Sequence, residues 1–138
     1  KVQADIWSCP SFNELKRDGD EVSRWNLLHP DKKARQCHVS QCLESTEGPV
    51  VAATDYVKLF ADQIRAYVPR SYAVLGTDGF GRSDSREALR KHFEVDRYYI
   101  TIAALNALVG EGGISAKTVK AAIKKYGIDS EKNNPLLS

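Results

Sequence analysis

Residues 74–85 read Val-Leu-Gly-Thr-Asp-Gly-Phe-Gly-Arg-Ser-Asp-Ser, or VLGTDGFGRSDS. An apolar run, residues 72–76 (YAVLG), enters a loop holding Gly76, Gly79 and Gly81. A helix signature follows, with Asp84 as the N-cap and Glu87 three residues on. Strand, glycine loop and helix in that order are the parts of a phosphate cradle, because free backbone amides and the helix dipole face an anion. The spacing Gly76-x-x-Gly79-x-Gly81 is not the dinucleotide order, and no P-loop lysine follows. Asp78 and Asp84 put negative charge where a phosphate would sit. The loop therefore reads as a turn, its glycines supplying left-handed geometry without steric cost. Phe80, between two glycines, is displayed outward beside Arg82, and an exposed aromatic next to an arginine is a typical interface anchor. Asp78, Phe80, Arg82 and Asp84 are the interface candidates.

Working outward from this loop, apolar runs and helical stripes alternate. Residues 4–9 (ADIWSC) read as a short buried strand, with Cys9 as a small apolar residue in it. Pro10 stops it, and Ser11 with Glu14 forms a capping box. The helix that follows turns Phe12 and Leu15 inward, and Asp18-Gly19-Asp20 breaks it. A second helical piece carries Val22, Trp25 and Leu28 and ends at His29-Pro30. Residues 31–36 are a polar surface connection, and residues 38–44 a short helix. Residues 49–54 (PVVAAT) are a buried strand. Asp55 caps a helix with Val57, Phe60, Ala61, Ile64 and Tyr67 on one stripe, closed by Pro69. After the glycine loop, helices are expected over residues 85–93, 99–109 and 116–126, the last capped by Ser115 and ended by Gly127. The tail from Asp129 is a surface segment. Three strands alternating with helices imply an α/β fold with a mostly parallel sheet covered on both faces.

Composition bounds the function. The 138 residues suit one domain. A net charge of +2 is too balanced to announce a nucleic acid or a membrane. No apolar run approaches the ~20 residues of a membrane span. The three cysteines, an odd number, are no disulfide framework and fit reduced thiols in the cytoplasm. Cys37, His38 and Cys42 cluster, but zinc needs a second ligand pair that is absent. No serine, histidine and acid assemble into a nucleophile pattern. The chain starts at Lys1 and contains no methionine, which suggests a piece of something longer. A rival reading uses residues 104–128, the outline of a helix-turn-helix with Lys117, Lys120 and Lys124 as a basic stripe. It would make the chain an independent α/β or helix-turn-helix module for a nucleotide or nucleic acid. The plainer reading is a solvated lysine face opposite Val119, Ile123 and Tyr126.

Three segments, DIWSCPSFNELKRDG…SRWNLLHP, VVAATDYVKLFADQIRAYVP and VLGTDGFGRSDSREALRKHFEVD, resemble the C-terminal domain of the homodimeric bacterial pyruvate dehydrogenases. A looser likeness extends to transketolases. The resemblance implies a transketolase-type three-layer α/β/α sandwich, here residues 1–138, with its first strand and helix missing. It implies a parent enzyme that decarboxylates pyruvate on thiamine diphosphate with magnesium. That parent acetylates the lipoyl group of the dihydrolipoyl acetyltransferase component. The partners implied are the remaining domains of the chain, a second subunit and that acetyltransferase, with neither nucleic acid nor membrane. The family's diphosphate motif, Gly-Asp-Gly and a later asparagine, has no match: Asp18-Gly19-Asp20 is the wrong order, and Asn133-Asn134 is too distant. No catalytic, cofactor-binding or metal residue is assigned, and the fragment alone is expected to be inactive.

Overall fold

A computed structural model describes residues 2–137. The elements are α1 (Phe12–Leu28), α2 (His38–Glu44), β1 (Val50–Ala53), α3 (Lys58–Asp62), a 3-10 turn (Arg65–Tyr67), β2 (Tyr72–Leu75), α4 (Arg86–His92), α5 (Arg97–Gly110), α6 (Ala116–Tyr126) and a 3-10 turn (Pro135–Leu137). The architecture is α/β. β1 and β2 pair in parallel, Val50 opposite Tyr72 and Ala53 opposite Leu75. Parallel strands need a crossover, and α3 with its 3-10 turn supplies it.

Side chains of a strand alternate between faces. Val50, Ala52, Tyr72 and Val74 join one cluster with Phe12, Ala61 and Ile64, so α1 and α3 cover that face. No α5 residue belongs to this cluster, yet α5 packs on both strands. By alternation it covers the face of Val51, Ala73 and Leu75. The sheet thus lies between helices, as an α/β layer fold requires. Within the core, the Phe12 and Phe60 rings meet edge-on at 5.9 Å. The buried Tyr72 hydroxyl donates to the carbonyl of Ala61, itself fully buried, at 2.9 Å.

Several expectations need correction. Residues 4–9 form no strand: they are exposed, Ile6 by 96%, and Cys9 is exposed rather than buried. A strand exists only as a partner in a ladder, and the sheet among the described residues has two members, not three. Asp18-Gly19-Asp20 does not break α1, which runs unbroken through it. Gly19 is there for a close approach: a Cβ on it would lie 2.4 Å from the Tyr67 ring. The flanking carboxylates have partners that favour the helix. Asp20 accepts from Lys16 at 2.5 Å and from the Tyr67 hydroxyl. Asp18 accepts from the His38 amide at 2.6 Å, capping α2 from a neighbouring helix, since Cys37 at the N-cap contributes no side-chain bond.

Other corrections concern helix starts. Asp55 caps nothing, and α3 begins after Val57. Ser85, not Asp84, caps α4, its hydroxyl accepting from the Ala88 amide. α5 begins at Arg97 because Asp96 accepts from the amides of Tyr98 and Tyr99 at 2.8 and 3.0 Å. Ser115 occupies the N-cap of α6, but its hydroxyl faces Thr118 Oγ1 rather than an amide. The serine half of the capping box at Ser11 and the left-handed Gly127 (φ 64°) hold as read, while the Glu14 carboxylate pairs with Arg17 at 3.1 Å instead of reaching back. The tail is not merely superficial, since Pro135 is buried. The end of Ser138 lies outside the described residues.

Two consequences are testable. Gly19→Ala gains about 1 kcal/mol of helix propensity but overpacks a ring anchored at Asp20, a strain of roughly 1–3 kcal/mol. Chemical denaturation is expected to show net destabilisation. Burial pushes the Tyr72 phenol up to about 12, with Asp62 adding to the effect. The unfolded chain releases this proton near pH 10, so stability falls as pH rises from about 10 towards 12. Tyr72→Phe is expected to flatten that alkaline limb of the stability profile.

Candidate functional site

In open α/β sheets, sites form beyond the carboxyl ends of the strands. Here β1 runs into residues 54–57 and β2 into the glycine loop, and the two loops are tied together. Thr77 donates from its amide to Tyr56 O and from its hydroxyl to Asp55 O, each at 2.8 Å. The Lys58 amide donates to Asp78 Oδ1 at 2.9 Å. Only glycine permits this approach at position 76, where a Cβ would sit 2.6 Å from Lys58 N and 2.7 Å from Tyr56 O. Arg90 on α4 adds an ion pair to Asp55 at 3.1 Å.

The second half of the loop leans on the tail. Gly79 (φ 113°) lies against Pro135, whose carbonyl oxygen would be 2.4 Å from a Cβ there. The tail is fixed in turn by Lys132, which donates to His92 O at 2.5 Å and pairs with Glu94 at 3.1 Å. Glu94 is the one non-glycine residue with positive φ (61°) among the described residues. It ends α4 in the left-handed conformation, its amide reaching Lys91 O and the Val95 amide reaching Arg90 O. A cavity of about 410 Å³ opens between the strand ends, α5, α6 and the tail. Its lining joins Tyr99, Ile102 and Ile123 to Lys58, Asp78 and Lys132. Burial raises the pKa of the Tyr99 phenol, and the carboxylates Glu94, Asp96 and Asp129 add to it.

The four sequence candidates separate. Asp78 faces inward, on the Lys58 amide. Asp84 accepts from the Ser85 amide at 2.7 Å, at the head of α4. Arg82 folds back to place Nη1 3.2 Å from His92 Nδ1. Phe80 projects, 82% exposed. The sequence reading missed its company: Tyr56, Leu59, Leu136 and Leu137 are exposed apolar side chains on the segments that adjoin the loop. Leu136 and Leu137 could have been flagged as apolar residues in a polar tail. Tyr56 and Leu59 could not, because the stripe read there assumed a longer helix.

At its two ends the loop offers an anion no free amide. The amides of Thr77, Lys58 and Ser85 are already engaged, two of them by carboxylates. Nor does the acidic pair of α1 suit a magnesium diphosphate, since Asp18 and Asp20 are committed to His38, Lys16 and Tyr67. Among the described residues, no group of three His, Cys, Asp or Glu side chains could hold a metal ion. Cys42 Sγ lies 3.3 Å from His38 Nε2, while Cys37 is buried beside Ser40. On α6 the lysines face solvent and Val119 is buried, while Tyr126 packs on Tyr98 at 4.9 Å. No described helix is long and apolar enough to cross a membrane.

A sequence model of the transketolase-like TK C-terminal domain matches residues 1–96. The chain belongs to this family. The match covers the strand pair, the glycine loop and α4, while α5, α6 and the tail lie beyond it. The chain is also 60% identical over 136 residues to the pyruvate dehydrogenase E1 component of Pseudomonas aeruginosa, and 59% over 135 residues to that of Cupriavidus necator. It is 53% identical over 138 residues to the Escherichia coli K12 protein of the same name. These alignments cover 98–99% of this chain and 15% of each relative. The chain thus spans about 15% of the length of these curated relatives.

Gly76 and Gly81, two of the loop's three glycines, should behave differently. Gly76→Ala collides with backbone that cannot yield and is expected to lose about 2 kcal/mol or more. Gly81→Ala meets open space and is expected to stay within about 0.5 kcal/mol of the parent. Urea denaturation of the two variants checks the contrast.

Proposed function

We propose that this chain is the C-terminal, non-catalytic domain of a homodimeric pyruvate dehydrogenase E1 component, acting as a docking and dimerisation part. In this reading residues 1–138 are one domain, the helices beyond the family match included, because α5 packs on the sheet. The parent oxidatively decarboxylates pyruvate on thiamine diphosphate and magnesium held by its other domains. It then acetylates the lipoyl group of an acetyltransferase component, in the cytoplasm. What supports the parent's identity is the level of identity with proteins named pyruvate dehydrogenase E1 component, sustained over almost the whole chain.

The observation that carries the docking role is the state of the glycine loop. Asp78 and Asp84 at its two ends are engaged with backbone amides, yet Phe80 is presented to solvent, as are Tyr56, Leu59 and Leu137 on the adjoining segments. Loops so fixed, with an aromatic left outside, serve contact better than chemistry. Phe80, Arg82 and Asp84 meet the neighbouring domains or the second subunit, and Asp78 holds the loop in shape for them.

Two measurements test this. Calorimetric titration of the chain with thiamine diphosphate and magnesium is expected to give no binding heat, and clear binding would overturn the assignment of roles. In the full-length enzyme, Phe80→Asp is expected to weaken subunit or domain association by about 2 kcal/mol, the size of an interface hot spot. Sedimentation together with turnover reads this. An unchanged dimer with unchanged turnover would reject the docking role.

A further inference from the structure

We propose that His92 is a proton-operated latch on the glycine loop: neutral, its Nδ1 holds Arg82; protonated, it releases Arg82 and frees the segment around Phe80. This rests on the docking role proposed for that loop and adds its regulation.

The argument begins with donor chemistry. Arg82 Nη1 lies 3.2 Å from His92 Nδ1. A guanidinium only donates, so the ring nitrogen facing it must carry the lone pair. The proton then resides on Nε2, and His92 is neutral. A second proton on Nδ1 would meet a donor and a positive charge together. Arg82 and the incoming proton therefore compete for one nitrogen.

The surroundings bias the competition. Three charged groups face His92 from the elements around it: Arg82 from the loop, Lys132 from the tail and Glu94 from the turn after α4. Partial desolvation, Arg82 and Lys132 hold its pKa below the ordinary histidine value, and only Glu94 opposes them. Lys132 cannot simply move away, since it is bonded to His92 O and to Glu94. Phe93 flanks the ring edge-on at 4.8 Å.

What the latch controls is limited by the other ties. Asp78 on Lys58 and Gly79 against Pro135 keep the first half of the loop in place at either charge state. Between Gly79 and the α4 cap, the Arg82–His92 contact is the tie from the loop to α4. Gly81 has open space around it, so the released segment can move. The sign follows from the lowered pKa: the contact is fully formed above the ordinary histidine range and is lost as pH falls through the His92 value.

Nuclear magnetic resonance tests this without any partner, so a loop that never docks would leave the readouts unchanged. Three histidines are present, and ¹³C labelling of their Cε1 with a His92→Gln variant identifies the signal. His92 is expected to titrate below the ordinary value of about 6.5. The Gly81 amide is expected to shift with the same midpoint, while the Gly76 amide does not. Arg82→Gln, at an exposed site, should move the His92 midpoint upward and remove the Gly81 response. A Gly81 amide indifferent to the His92 titration, or a midpoint unmoved by Arg82→Gln, would overturn the latch. The wild-type coupling decides the matter even if the variant folds poorly.

Discussion

The close approach of two backbones at Gly76 is the constraint on which the rest of the molecule depends. Each strand offers four residues to the other, and so short a parallel pair is marginal alone. It is secured at both ends. The Val50 amide donates to Ser71 O at 2.8 Å where the pair begins. Where it ends, Thr77 and Asp78 lock onto residues 55–58. The second lock fixes the start of α3 and the direction of the glycine loop at once. α4 then follows in a defined place, with Arg90 reaching back to Asp55.

From that lock, order spreads in two directions. Towards the N-terminus, α3 and the 3-10 turn set Tyr67 against Gly19 and Asp20, so α1 is positioned through one ring. α2 inherits its place from α1, since Asp18 caps it. Towards the C-terminus, α4 ends at Glu94 in a strained conformation held by Lys132. The tail so fastened brings Pro135 under the glycine loop. The loop of the candidate site is therefore shaped by residues more than fifty positions after it and about twenty before it.

Several aspartates here serve as acceptors for backbone amides. Asp18, Asp78, Asp84 and Asp96 each close a turn or a helix end. A carboxylate so engaged has one oxygen committed to the fold. Membership of the transketolase-like C-terminal family agrees with a part whose carboxylates are structural. The lysines of α6 remain solvated and the thiols are unpaired.

Much of this was legible in the residues themselves. The alternation of apolar runs and helical stripes gave the α/β class, and local signals placed the Ser11 cap, both strands of the pair and the Gly127 stop. These are short-range matters of dihedral preference and hydrogen bonding within a few residues. The projection of Phe80 between glycines was legible for the same reason. Tertiary structure decided whatever depended on distant partners. Gly19 looked like a helix break until Tyr67 lay against it, residues 4–9 looked like a strand but have no ladder, and the bond from the Lys58 amide to Asp78 had no local signal. The contact of Arg82 with His92 and the return of the tail by Lys132 had no sequence signal, because such pairings are set by where the chain folds back, not by the spacing of neighbours.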